Sequence, residues 1–152
     1  MTTAQQVLQV AANEIGYKEQ PLGSDHTKYG VWFGIDPAPW AAMFVSYCFY
    51  MAGLPLPITT PKGFAFHPYA AKWFKEHGWW DTAPQVGDVV FFDWQADGSA
   101  DHVGIVEKVN PDNSIVAIRG NVENQVCRRS SSTGMMGYGR PPYTSTTNNE
   151  PH

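Results

Sequence analysis

Apolar positions in the first half of the chain recur at helical spacing. Val7, Leu8, Ala11 and Ile15 fall on one stripe, Thr3 and Gln6 form a capping-box pair before them, and Gly16 stops the run. Residues 16–38 lose this period and are rich in Gly and Pro, which predicts a long loop. A second helix is expected from Trp40 to Gly53, with Ala41, Phe44, Val45, Cys48 and Ala52 on one stripe. The Leu-Pro-Leu-Pro-Ile stretch at 54–58 cannot continue it. A third helix fits 68–77, with Pro68 in its first turn. From Val86 onward the period changes to two. Residues 88–92, 102–109, 114–119 and 125–129 read as strands, and 137–143 as a last edge strand. Asp97-Gly98 and residues 110–113 carry turn chemistry. Helices followed by an antiparallel sheet predict an α+β fold, with one domain over 1–143 and a polar tail or linker start over 144–152.

Composition narrows the classes. With 152 residues, 43% hydrophobic and 16% charged, the chain can bury a core and is not disordered. A net charge of −4 gives no footprint for nucleic acid. Met1 to Ala4 begin no secretory signal, and no stretch is long enough to insert in a membrane. The expectation is a monomer made in the cytoplasm without an export address. The cysteines, Cys48 and Cys127, could pair, but two reduced thiols is the simpler reading. Cys48 lies two turns into the second helix, where it should be buried and inert, and Cys127 reads as a strand residue.

Candidate chemistry lies between the second helix and the sheet. A helix start favours an anion, so a thiol at position 41, just after a proline-rich approach, would be well placed as a nucleophile. Such a group needs a base, and the base needs an orienting partner. If residues 110–113 form a four-residue loop, Val109 faces Ser114 and His102 faces Asn121. An amide there can hold one ring nitrogen and leave the other for the nucleophile, as in Cys-His-Asn hydrolases. A slip of one residue would turn Asn121 to the other face.

Pro39-Trp40, then Ala42-Met43-Phe44-Val45-Ser46, Gly87-Asp88-Val89-Val90-Phe91-Phe92 and Asp101-His102-Val103-Gly104-Ile105-Val106 resemble the motifs of the CHAP family, the cysteine- and histidine-dependent amidohydrolases/peptidases. The resemblance runs from about Ala4 to Tyr143. Lys28-Tyr29-Gly30 and Gly137-Tyr138-Gly139-Arg140-Pro141 are similar to the catalytic domains of bacteriophage endolysins. NlpC-type cell-wall peptidases are related, but their nucleophile usually follows an acidic residue. The resemblance implies a papain-like fold, bacterial peptidoglycan as partner and cleavage of its amide bonds, by an N-acetylmuramoyl-L-alanine amidase or a peptide endopeptidase. Position 41 would be the nucleophile, His102 the base and acid, and Asn121 the orienter, with Glu123 a weaker candidate. No cofactor is implied.

Two positions depart from that pattern. Ala41 stands where the family has cysteine, and Arg119 where many relatives carry glutamate. A methyl cannot attack a carbonyl, and losing a triad nucleophile costs on the order of 10⁶ in rate. The simplest account is a cysteine-to-alanine change made to silence a lytic enzyme. The alternatives are a natural pseudoenzyme that binds cell-wall peptides or a partner, and a bacterial wall-remodelling hydrolase or interbacterial toxin. Trp40, Trp32 and Trp94 are candidate substrate contacts. Arg119 could meet a substrate carboxylate or be solvated at a strand end. Set beside His102, it would lower that imidazole's pKa. His26, His67 and His77 lack metal-ligand spacing. Asp93, Asp97 and Asp101 are spaced like a calcium loop, but Gly98 and its turn explain them, so no metal is expected.

Overall fold

A computed structural model describes residues 2–144. Four helices, α1 (Ala4–Asn13), α2 (Lys28–Phe33), α3 (Ala41–Met51) and α4 (His67–Glu76), precede six strands. These are β1 (Trp80–Asp81), β2 (Val89–Phe92), β3 (His102–Val109), β4 (Ile115–Val122), β5 (Gln125–Ser131) and β6 (Met135–Gly139). All pair antiparallel in one sheet of order β1-β6-β2-β3-β4-β5, which is the expected α+β layout. The polar tail from residue 145 lies outside the described residues.

The helix ends follow the residue chemistry. Thr3 Oγ1 accepts from the Gln6 N–H at 3.3 Å, and Gln6 Oε1 accepts from the Thr3 N–H at 2.8 Å, closing the expected capping box. The loop over 16–38 is interrupted by α2. Thr27 caps it through the Gly30 N–H, and Gly34 ends it with φ +102°. Six residues are too few to show an apolar period, so the sequence pattern misses it. α3 is buried on every side over Ala41–Ser46 and again at Cys48 and Phe49, rather than along one stripe. It is the central element, packed against α1, α2, β3 and β4.

The sheet divides the core. Val89, Phe91, Val103, Ile105 and Ile118 join α3 and α4 in the main cluster. Val90, Phe92, Val106, Ile115 and Ala117 form a second cluster with Tyr138 on the opposite face. This is the period-two alternation expected of strands. The terminal strand differs from expectation. β6 is not at an edge but lies between β2 and β1, and the edge is the two-residue β1, too short for a pattern to reveal. Arg140 fixes this end, with Nη1 2.8 Å from Asp81 and Nη2 2.9 Å from the buried Asp88.

The β3–β4 register is reached by two compensating steps. The loop is one residue shorter than assumed: the Asn110 N–H donates to the Ser114 carbonyl at 2.9 Å, and Val109 faces Ile115, not Ser114. Asn113, at φ +66°, takes the left-handed conformation such a loop needs. A bulge between Val106 and Lys108 then restores the expected pairing, so Val106 faces Ala117 and Ile105 faces Ile118.

Candidate active site

The start of α3 rests on β4. A Cβ built on Gly120 would lie 2.8 Å from Phe44 Cβ and 2.9 Å from Trp40 Cζ3, so only glycine lets the helix approach this closely. Ala41, the first residue of α3, is 4% exposed. The preceding Trp40 supplies no side-chain cap, which leaves first-turn N–H groups of α3 without a capping acceptor. Trp40 itself is fully buried. Its indole stacks on Tyr29 with centroids 5.4 Å apart, and its Nε1–H donates to the buried carboxylate of Glu19 at 2.8 Å. It therefore packs beneath the helix start, which corrects the expectation that it touches substrate.

His102 opens β3, the strand beside β4, and faces Phe92 of β2. It shares the second face of the sheet with Phe92 and Gly104. Its ring stacks on Trp94 at 5.6 Å and lies 6.2 Å from Phe92 and 6.3 Å from His67, the first residue of α4. Its Nε2 is buried without a hydrogen-bond partner among the described residues. Burial pushes its pKa down to about 3, with the Arg119 guanidinium and His67 adding to the fall, so the imidazole is neutral at physiological pH. Burial likewise lowers His67 to about 4, with Asp101 pulling weakly the other way.

Arg119 is not a solvated strand end. It is 8% exposed and lies against Gly104, where an added Cβ would come within 2.5 Å of its Cγ. Its guanidinium carbon is 4.9 Å from the Phe92 ring centroid and 5.8 Å from that of Trp94. Its Nε has no partner among the described residues. The expected effect on His102 is present, although burial is the larger cause.

Asn121 departs from the simple picture. The β4–β5 pairing shifts between Arg119 and Val122, and Asn121 has φ +61°, a left-handed conformation that asparagine tolerates. Strand alternation therefore does not govern its side chain. Among the described residues no hydrogen bond joins it to His102. Glu123 is exposed and holds Arg129 at 2.8 Å. Trp32 packs on Phe33, Tyr47 and Tyr50 and has no ring contact with the His102 group among the described residues. Trp94, 54% exposed, is the tryptophan beside His102.

The profile of the CHAP domain family matches residues 34–121, a span that includes position 41, His102 and Asn121. The chain belongs to the CHAP domain family. Two solved structures are similar to this CHAP domain. One is the N-acetylmuramoyl-L-alanine amidase from Staphylococcus aureus, 19% identical over 66% of this chain and 30% of that one, with a TM-score of 0.49. The other is the wild-type endolysin LysIME-EF1, 17% identical over 94% of this chain and 66% of that one, with a TM-score of 0.47. The CHAP domain thus spans less than a third of the amidase chain. No curated protein sequence matches it.

Several features escaped the sequence pattern. His67 lies 35 positions from His102 and meets it only through the packing of α4. Glu19 is fully buried in the loop before α2, and its other oxygen accepts from the Gly23 N–H at 2.7 Å. No local motif marks either residue. Cys48 is buried as expected, and burial holds its thiol well above its ordinary pKa. The Asp93, Asp97 and Asp101 carboxylates gather within 4.8 Å. They already accept backbone N–H groups of Asp97, Gly98, Ser99 and Gln95, as turn-forming aspartates do.

Proposed function

We propose that this CHAP domain is the scaffold of a peptidoglycan amide hydrolase of the endolysin kind, silenced at its nucleophile. The observation that carries this reading is the approach of the α3 start to β4 at Gly120, one strand from His102. It supports a nucleophile position at the uncapped helix start, against the strand next to the one that His102 opens. With cysteine at 41, His102 would take the thiol proton. The thiolate would attack an amide carbonyl, and first-turn N–H groups would stabilise the oxyanion. His102 would then protonate the leaving amine, and water would release the acyl group from sulfur. Asn121 would have to turn toward the ring to orient it. No cofactor enters this reaction.

As it stands, the chain would hold cell-wall peptide without cutting it. The preserved helix start, His102 strand and Gly120-Asn121 favour a recent cysteine-to-alanine change. The replacement at Arg119 is the observation that favours the second reading, a natural binding protein. The domain would act on the bacterial wall after release from the cell that makes it.

The test is Ala41→Cys beside the unchanged chain, both incubated with purified peptidoglycan and read by mass spectrometry. Fragments from the cysteine form alone are expected, a gain on the order of 10⁶ in rate. The new termini distinguish amidase from endopeptidase. Binding of walls by both forms with release by neither would sink the hydrolase reading.

A further inference from the structure

The chain has four arginines, and three of them hold carboxylates. Arg128 pairs with Glu107, Arg129 with Glu123, and Arg140 with Asp81 and Asp88. All three are more exposed than Arg119. Arg119, the most buried, has no acidic partner among the described residues. This inverts the usual order, since a buried charge needs a partner more than an exposed one does.

The surroundings do not replace that partner. Phe92 and Trp94 offer ring faces, which attract a cation but leave its in-plane N–H donors unused. Across β4–β5, Arg119 faces Cys127, which supplies no carboxylate. His102, two positions before Gly104 on β3, brings a second buried nitrogen without a partner among the described residues. The two orphaned groups therefore meet beside Trp94, whose indole is half open to solvent.

We propose that Arg119 is the receptor for a carboxylate of an acidic peptide bound beside His102. The flat fork of a guanidinium matches a carboxylate with two parallel N–H bonds. The neutral His102 adds a hydrogen-bonding nitrogen and no second positive charge, so the site suits a planar monoanion better than a phosphate dianion. Trp94 forms a wall along which the peptide lies. This inference rests on the reading that the cleft takes cell-wall peptide, and it names the class: stem peptides with a free carboxylate next to the bound amide, in preference to amidated ones.

Isothermal titration of the unchanged chain tests this, with N-acetyl-L-alanyl-D-glutamic acid, its diamide and inorganic phosphate as probes. The acid should bind at least about tenfold more tightly than the diamide, the equivalent of one charge-assisted pair. Arg119→Gln should erase that preference and Arg119→Lys should restore only part of it. In the unchanged protein the acid, and not the diamide, should move the Arg119 Nε–H resonance, a readout that needs no variant to fold. Equal affinities, no acid binding at millimolar concentration, a preference that survives Arg119→Gln, or tighter binding of phosphate would each overturn the proposal. Acid-selective binding without fragment release by Ala41→Cys would leave this subsite and remove the hydrolase reading. Release without acid selectivity would do the reverse.

Discussion

The two faces of the sheet are built on opposite rules. The helix face is satisfied: Trp40, Phe44 and Phe49 are sealed among apolar neighbours, Trp40 Nε1 meets Glu19, and the Ser46 hydroxyl meets the Ala42 and Phe64 carbonyls. The other face near the start of β3 is also buried, yet His102 Nε2 and Arg119 Nε have no partner there among the described residues. Burial alone does not separate the two faces. Completion of hydrogen bonding does. A folded core selects against orphaned polar atoms, so two of them side by side are the feature that stability does not account for.

That contrast can be broken most severely at Trp40. Trp40→Ala removes a fully buried indole and leaves Glu19 Oε2 without its donor. Large-to-small changes of this kind cost about 3–5 kcal/mol, and the unpaired carboxylate oxygen adds to the loss. Urea unfolding should place the variant near or beyond the stability limit of a domain this size. A cost below about 1 kcal/mol would show that the helix face is not the rigid side.

Acid sharpens the same comparison. His102 and His67 are held at about 3 and about 4, below their ordinary value of 6.5. Between those values the unfolded chain binds protons that the folded chain refuses. Stability is therefore full above pH 6.5 and falls as pH drops through the window toward 4 and then 3. Each imidazole contributes a slope of up to about 1.4 kcal/mol per pH unit there. His102→Gln should flatten the stability profile between pH 6 and 4, measured by urea midpoints against the unchanged chain. Parallel profiles would mean that His102 titrates normally and that its surroundings are wetter than the structure shows.

The sequence made one face more legible than the other. Capping, helix periods and the bounds of β3 are local, and they were readable at Thr3, Gln6 and His102–Val109. The β3–β4 pairing was read from a loop one residue too long, and the bulge after Val106 cancelled that error as far as Ile105 and Ile118, while Asn121 leaves the strand conformation beyond them. The short elements α2 and β1 have too few residues to show a period. The location of β6 inside the sheet depends on β1 pairing outside it. The burial of Arg119 and Trp40 was not legible for one reason: a charge in a strand is compatible with solvent and an aromatic beside a site with a contact, while burial is decided by distant residues. The pairing of His67 with His102 likewise belongs to tertiary packing.

The smallest effect on stability should come from Trp94→Ala, and its smallness is what makes it informative. Trp94 and Trp40 are the same side chain on opposite faces. Trp94 is 54% exposed and stacks on Phe92 at 5.0 Å and on His102 at 5.6 Å. It also lies against Gly134, where an added Cβ would approach its Cδ1 to 2.4 Å. Losing these contacts should cost about 1 kcal/mol, the scale of an aromatic pair at a half-open site. Yet the indole shields His102 and Arg119 from water, so its loss should wet both. The His102 pKa should rise toward 6.5, because burial is the main cause of its depression. NMR titration of the imidazole with a parallel urea unfolding curve separates the outcomes. A small stability change with a raised pKa identifies Trp94 as the cover of the orphaned pair. A large stability loss with the pKa unmoved would make it a packing residue like Trp40, and the two faces would then differ in exposure alone.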